Sequence, residues 1–416
     1  MTINTQQVLC NIPINTSVIP QARLNIESKE RTNPFAWKGQ FSPQLVETLL
    51  EHFAAANEVV LDPFAGSGTV LYEAGRRSLQ CFGSEINPAA FLMASTYQLI
   101  NSSPLERHQS ASIVESTLHE AISTSLPLFS MSRVTEQDLK SQLKSLLAEI
   151  VDPIARDLLR TLIVRLDFFQ PGLTEERVFS TWKKLRSFIE SLPHSRNLIR
   201  VFNADARAIP IGEAQVDLVI TSPPYINVYN YHQQYRASTE ALGWNLLRVA
   251  KSEIGSNRKH RGNRLLTVIQ YCLDLTQTLL ELVRVTKPSA RLVFVVGRES
   301  AVRKTRFLNG EIVARLAVQA VGLKLKMRQE RVFMNRFGTN IFEDILHFAE
   351  PASSSTDPMV IARRIAKEIL EEASSFAPAE VGPDLEDALH TLEAIEPSPF
   401  YRVPSHSPSL TQEVSP

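Results

Sequence analysis

The stretch Val59-Val60-Leu61-Asp62-Pro63-Phe64-Ala65-Gly66-Ser67-Gly68-Thr69-Val70 constrains this chain more than any other. Two β-branched residues and a leucine favour a short buried strand. It runs into a Gly-Ser-Gly turn and then an apolar helix start, Val70-Leu71-Tyr72-Glu73-Ala74. Glycine takes positive φ or lets a ligand approach the backbone, so Gly66 and Gly68 would open a floor on which a nucleoside rests. A glycine pair after a strand also occurs as a plain structural turn, and this stretch alone does not choose between the two.

Two further pieces shift the balance. Gln80-Cys81-Phe82-Gly83-Ser84-Glu85 reads as a second strand ending in a carboxylate 17 residues beyond Gly68. In nucleoside-binding α/β folds an acid at about 20 residues holds both ribose hydroxyls, because a carboxylate accepts from two donors at once. Much later, Val216-Asp217-Leu218-Val219-Ile220 leads into Thr221-Ser222-Pro223-Pro224-Tyr225. Two prolines at a strand end carry no amide hydrogens. They stop pairing and leave carbonyls and flanking side chains facing a cleft.

Asp-Pro-Phe-Ala-Gly-Ser-Gly-Thr followed by Ser-Pro-Pro-Tyr resembles the S-adenosylmethionine-dependent amino-methyltransferases of DNA, over roughly residues 31–100 and 199–349 and in an order that family uses. The resemblance implies an α/β fold, a Rossmann-like seven-stranded methyltransferase sheet with a terminal antiparallel hairpin and a helical insertion. It implies S-adenosyl-L-methionine as cofactor. The turn residues Phe64, Gly66, Gly68 and Thr69 would receive it, Glu85 would hold its ribose, and Asp205 would face its adenine amino group; a turn carboxylate capping local backbone is the competing reading of Asp205. Lys38 and Phe41 would close over its methionine end; a loop packing its aromatics on the core is the other reading of that segment. Asp62 would repel a pyrophosphate but suits the methionine ammonium or its waters, which argues against a dinucleotide.

An exocyclic amine is a poor nucleophile because its lone pair is delocalised into the ring. Acceptors for its two hydrogens draw it toward tetrahedral geometry. Ser222 and the Pro223 carbonyl would be those acceptors, with Pro223 and Pro224 fixing their direction and Tyr225 stacking on the base. Neither a metal nor a covalent intermediate is required. A base inside duplex DNA must be flipped to reach such a pocket, and Tyr229 and Tyr231 would offset part of the unstacking; core packing is the competing reading for both.

Formal charge sums to zero, 44 Lys plus Arg against 44 Asp plus Glu, but the distribution is uneven. Basic residues crowd 248–264 and 284–336, and acids collect at 368–396, so a polyanionic partner stays open. Arg258, Lys259, Arg261 and Arg264, close behind the Ser-Pro-Pro-Tyr loop, are candidates for DNA phosphate contact, although charge runs are more often solvated surface. Cys10, Cys81 and Cys272 lack metal-ligand spacing, and no leader or long apolar run occurs. A reduced cytoplasm fits best.

Along the chain, residues 1–28 read as a polar arm. Residues 29–101 and 198–349 carry the catalytic pattern, and 102–197 is helical throughout, an insertion between the second and third strands. Its expected rods are 106–123, 135–150, 153–166 and 175–192, with a stripe of Leu139, Leu143, Leu146 and Leu147. Contact with DNA, packing, or a partner surface are all open for it. Residues 350–416 read as a linker, a charged helix and a disordered tail.

Ser-Pro-Pro-Tyr in place of Asp-Pro-Pro-Tyr favours a site-specific enzyme acting on cytosine N4 of double-stranded DNA, with adenine N6 as the alternative. An RNA guanine-N2 methyltransferase and a non-catalytic nucleic-acid-binding protein follow. A companion restriction endonuclease acting on the same site would fit the first reading.

Overall fold

The turn at Gly66 and Gly68 joins the first strand of a sheet to the helix that covers it, and the remaining strands lie on either side of that strand. The computed structural model describes residues 7–123, 135–226, 230–255, 259–260, 262–335, 337–349, 351 and 356–402. β1 (Val59–Asp62), β2 (Gln80–Ser84), β3 (Ile199–Phe202), β4 (Val216–Thr221) and β5 (Thr286–Gly297) run parallel. β6 (Ser300–Val302) and β7 (Thr305–Phe307) form a small separate hairpin, and β8 (Lys324–Met334) and β9 (Asn340–Ala349) complete the large sheet. The order is β3-β2-β1-β4-β5-β9-β8, with β9 antiparallel to both neighbours. This is the expected seven-stranded sheet with its terminal hairpin.

The inner strands are short apolar runs because both faces are covered. Helices Pro43–Phe53, Thr69–Arg76 and Pro88–Ser95 pack on one face, Leu266–Val285 and Pro358–Ser374 on the other. At β1 the order reverses: Val60 pairs with Cys81 of β2 on one side and Leu218 of β4 on the other. Open α/β sheets bind ligands in the crevice at such a switch point, beyond the carboxyl ends of the strands. The loops after β1, β2 and β4 therefore open into one place.

Between β2 and β3 stand four helices, Pro104–Ser123, Glu136–Glu149, Pro153–Leu166 and Glu175–Glu190. Thr135 and Asp138 form a reciprocal capping box at the second, and Leu139, Leu143 and Leu146 are buried. The insertion shares one core with the first face of the sheet. Its Phe188 packs edge-on against Phe35, at 5.6 Å between ring centres.

Both ends of the chain depart from expectation. The described part of the arm is docked: Val8 and Leu9 donate backbone N–H to the Glu311 carboxylate at 2.6 and 2.9 Å, and Ile14 bridges to Arg328. Ile19 and Leu24 are buried. Anchors this sparse leave no period to read. The described part of the tail, far from being disordered, adds a helix, Gly382–His390, and then enters the interior, where Ser398 and Tyr401 are buried.

Candidate active site

β1 delivers Asp62 to the crevice floor, but its carboxylate faces the neighbouring strand. Oδ1 accepts the Phe64 N–H at 3.1 Å and the Thr221 hydroxyl at 2.7 Å, fastening the end of β1 to the end of β4. Burial pushes the Asp62 carboxyl up to about 7. The expectation that it meets a ligand ammonium is corrected: Asp62 is a strut between the two loops and does not line the cleft.

The two glycines do different work. Gly66, at φ +51°, lines the cleft and donates its N–H to Glu85 Oε2 at 2.9 Å. Gly68, at φ +89°, caps the helix Thr69–Arg76, and a Cβ there would lie 2.7 Å from the Tyr97 ring. Its role is close helix packing, so the expected floor is Gly66 alone. Thr69 lines the cleft and donates its hydroxyl to Asn33 Oδ1 at 2.9 Å; Asn33 Nδ2 donates to the Phe41 carbonyl at 2.6 Å. Ser67 donates to Gln40 Oε1 at 2.9 Å. These bonds hold the segment carrying Lys38 and Phe41 over the turn, and both residues line the cleft.

Glu85 follows β2. Its carboxylate accepts the Gly66 N–H on one oxygen and the Asn87 N–H, at 2.7 Å, on the other. One acceptor position per oxygen is left over, and the residue borders the cleft. Burial pushes this carboxyl, too, up to about 7. Phe64, Trp37 and Phe41 supply the aromatic wall of a cleft with about 830 Å³ of empty volume, its open mouth included.

Asp205 borders this cleft, but its carboxylate is saturated. It accepts the Arg207 backbone N–H and Nε on Oδ1, at 3.0 and 2.8 Å, and Arg207 Nη2 and the Tyr401 N–H on Oδ2, at 2.7 and 2.9 Å. Four donors fill its acceptor positions, so it is not free to receive an adenine amino group.

The Ser-Pro-Pro-Tyr loop spans two clefts. Ser222 and Pro224 line the first, together with Gly66 and Glu85. Ser222 Oγ lies 3.4 Å from the Tyr225 hydroxyl, while the Tyr225 ring lines a second, wider cleft. A Cβ at Gly297 would lie 2.8 Å from that ring, and one at Gly255 would lie 2.9 Å from the Tyr225 carbonyl. Two distant glycines therefore seat the tyrosine. Pro223 is buried.

The expected nucleic-acid contacts divide. Tyr231 lines the first cleft, stacked on Trp37 at 6.1 Å and 14°. It is a half-buried wall of that cleft. Lys259 and Arg264 line neither cleft. Tyr229, Arg258 and Arg261 lie outside the described residues. The second cleft is instead bordered by Arg165, Arg298, Arg306 and Arg331, with Phe333. Three of these cations are paired: Arg298 with Glu330 and Asp344, Arg306 with Glu299, and Arg331 with Glu343.

Sequence reasoning missed Trp37, Glu253 and His232. Glu253 lines the first cleft, and its Oε2 lies 2.6 Å from Nδ1 of buried His232. They are 21 residues apart, with no motif to announce them. Among the described residues no cluster of His, Cys, Asp and Glu is arranged to hold a metal ion, and no helix is long and apolar enough to cross a membrane.

The strand order, the reversed ninth strand and a cleft joining the loops after β1, β2 and β4 define a Rossmann-like methyltransferase fold. Residues 15–95 match the family described as DNA methylase, the N6 and N4 amino-methyltransferases. The match is confined to this segment, about a fifth of the chain. The chain is 36% identical over 73 residues to the type II methyltransferase M.MjaII of Methanocaldococcus jannaschii, covering 17% of this chain and 14% of that protein. It is 26% identical over 251 residues to the type II methyltransferase M.MvaI of Kocuria varians, covering 49% of this chain and 55% of that protein. The chain thus matches about half or less of either relative's length. A solved S-adenosylmethionine-dependent methyltransferase of Methanosarcina mazei aligns with 73% of this chain and 98% of its own at 11% identity, with a TM-score of 0.33. That score is too low to add to the fold assignment.

Proposed function

We propose that this protein methylates the exocyclic amine of a base flipped out of double-stranded DNA, with cytosine N4 favoured over adenine N6. The observation that carries the reading is the shared cleft, in which Gly66 and Glu85 of the first two loops meet Ser222 and Pro224 of the fourth. The residues fit the cofactor: two carboxylates, Glu85 and Glu253, beside the aromatic residues Trp37, Phe41 and Phe64 suit a nucleoside that carries positive charge. When bound, S-adenosylmethionine supplies an electrophilic methyl group on a sulfonium.

The chain's own residues do the rest. Glu85 holds ribose hydroxyls through its remaining acceptor positions. The Ser222 hydroxyl and the Pro223 carbonyl accept the two hydrogens of the target amine, drawing its lone pair out of conjugation. Tyr225 faces the second cleft and stacks on the base that arrives from it. A neutral Ser222 where a carboxylate would stand supports the cytosine preference. The type II designation of both relatives supports pairing with a restriction endonuclease for the same site.

Nucleoside analysis of DNA from cells expressing the chain tests this. N4-methylcytosine is expected. N6-methyladenine would transfer the reading to the other base, and unmodified DNA from cells with soluble protein would end it.

A further inference from the structure

The last described residues run into the protein behind the first cleft, where they complete a buried ionic network. Arg207, whose side chain is fully buried, donates Nε and Nη2 to Asp205, and Nη1 to Asp274 at 2.9 Å. Its other donors reach the tail: Nη1 meets the Ser398 carbonyl at 2.7 Å and Nη2 the Pro399 carbonyl at 3.0 Å. Ser398 returns its N–H and its hydroxyl to the two oxygens of Asp274, each at 2.8 Å. Phe400 lies under the guanidinium, 4.6 Å from ring centre to Cζ.

Tyr401 carries the connection to the cleft. Its N–H donates to Asp205, and its hydroxyl to Asn203 Oδ1 at 3.2 Å. Asn203 in turn donates to the carbonyls of Glu85 and Ile86, at 2.8 and 3.2 Å. Residues 85–87 and 204–206 line the cleft.

We propose that residues 396–401 are a strap belonging to the cofactor site: by saturating Arg207, Asp205 and Asn203 from behind, they hold the wall made by residues 85–87 and 204–206 in its ligand-binding shape. Arg207, Ser398 and Tyr401 are positioning residues, since none is required to touch a ligand. Without the strap, two N–H groups of a buried guanidinium and one acceptor position of Asp205 lose their partners. A half-satisfied buried network rearranges toward water, and here it would take the wall with it. The ligand's identity rests on the methyltransferase reading; the strap itself rests on these bonds.

The test measures binding of S-adenosylhomocysteine by calorimetry to the full chain, to Tyr401→Phe and to a chain ending at Ile395. Loss of the strap is expected to raise Kd roughly tenfold or more, and Tyr401→Phe roughly two- to fivefold. Coupling is reciprocal, so saturating S-adenosylhomocysteine is expected to slow amide hydrogen exchange at Ser398 and Tyr401 in the intact chain. An unchanged Kd in the folded shortened chain, even with a lower Tm, overturns the proposal. Should the shortened chain not fold, Tyr401→Phe and the exchange measurement decide: an unaltered Kd with ligand-independent exchange overturns it equally. Absence of binding by the intact chain would instead sink the methyltransferase reading and the strap's assignment with it.

Discussion

The two clefts that meet at the Ser-Pro-Pro-Tyr loop are built on opposite principles. In the first, Glu85 and Glu253 border the cleft, and hydrogen bonds from backbone and hydroxyl groups hold the turn, the strand ends and the covering segment. In the second, Arg298, Arg306 and Arg331 border the cleft, each already answered by an acid. Carboxylates held in low dielectric select a small cation and make it costly to leave the site empty at high pH. Partnered arginines can exchange acids for phosphates at little net cost, which suits a long polyanion that must arrive and depart. One cleft is therefore specified by desolvation and the other by exchange.

The comparison breaks most sharply at Tyr225. Tyr225→Ala is expected to lower methyl transfer to duplex DNA by about 100-fold or more, a loss of roughly 2.7 kcal/mol in the transition state, with the Kd for S-adenosylhomocysteine changed less than about twofold. Equal loss of both would mean that the two clefts are one site.

Glu85→Gln is expected to weaken S-adenosylhomocysteine roughly tenfold or more by calorimetry. The wild type should also bind more tightly as pH rises through about 7, where the Glu85 carboxyl ionises, and the variant should not. The stability of the unliganded protein should run the other way. An acid whose folded pKa is raised contributes stability that is fully present below its unfolded value and is lost as pH rises through about 7. Thermal unfolding between pH 5 and 8, with and without ligand, reads both signs.

Gly68→Ala is expected to cost about 1–3 kcal/mol in urea unfolding, because it sets a Cβ at positive φ against Tyr97 and Ala94. DNA binding by the folded fraction should be intact. Smallest of all, Arg331→Gln should weaken duplex binding a few-fold and lower its salt slope by about 1, leaving S-adenosylhomocysteine binding alone. A loss confined to the first cleft would reverse the assignment.

What the sequence made legible was local. Strand, glycine turn and helix lie within one stretch, and Glu85 and Ser222 sit at strand ends whose apolar runs mark them. The second insertion helix announces itself by period, through Leu139, Leu143 and Leu146. What it concealed was pairing at a distance. Asp62 meets Thr221 across 159 residues, and Asp205 is consumed by Arg207 beside it and by Tyr401 at 196 residues. Tyr231 is turned to Trp37, and Glu253 to His232. A side chain's neighbours in three dimensions, and hence whether its oxygens are free for a ligand, are set by packing that no local pattern encodes.

Gly39, Gln40 and Phe41 border both clefts, so a partition three residues wide belongs to two rooms at once. Whatever leans on it from one side reshapes the other. By the reciprocity of linked binding, the preference that nucleic acid shows for the loaded over the empty protein must equal the preference the small ligand shows for the protein already on its duplex. A partition this thin lets a single pivot govern the order in which the two guests are admitted.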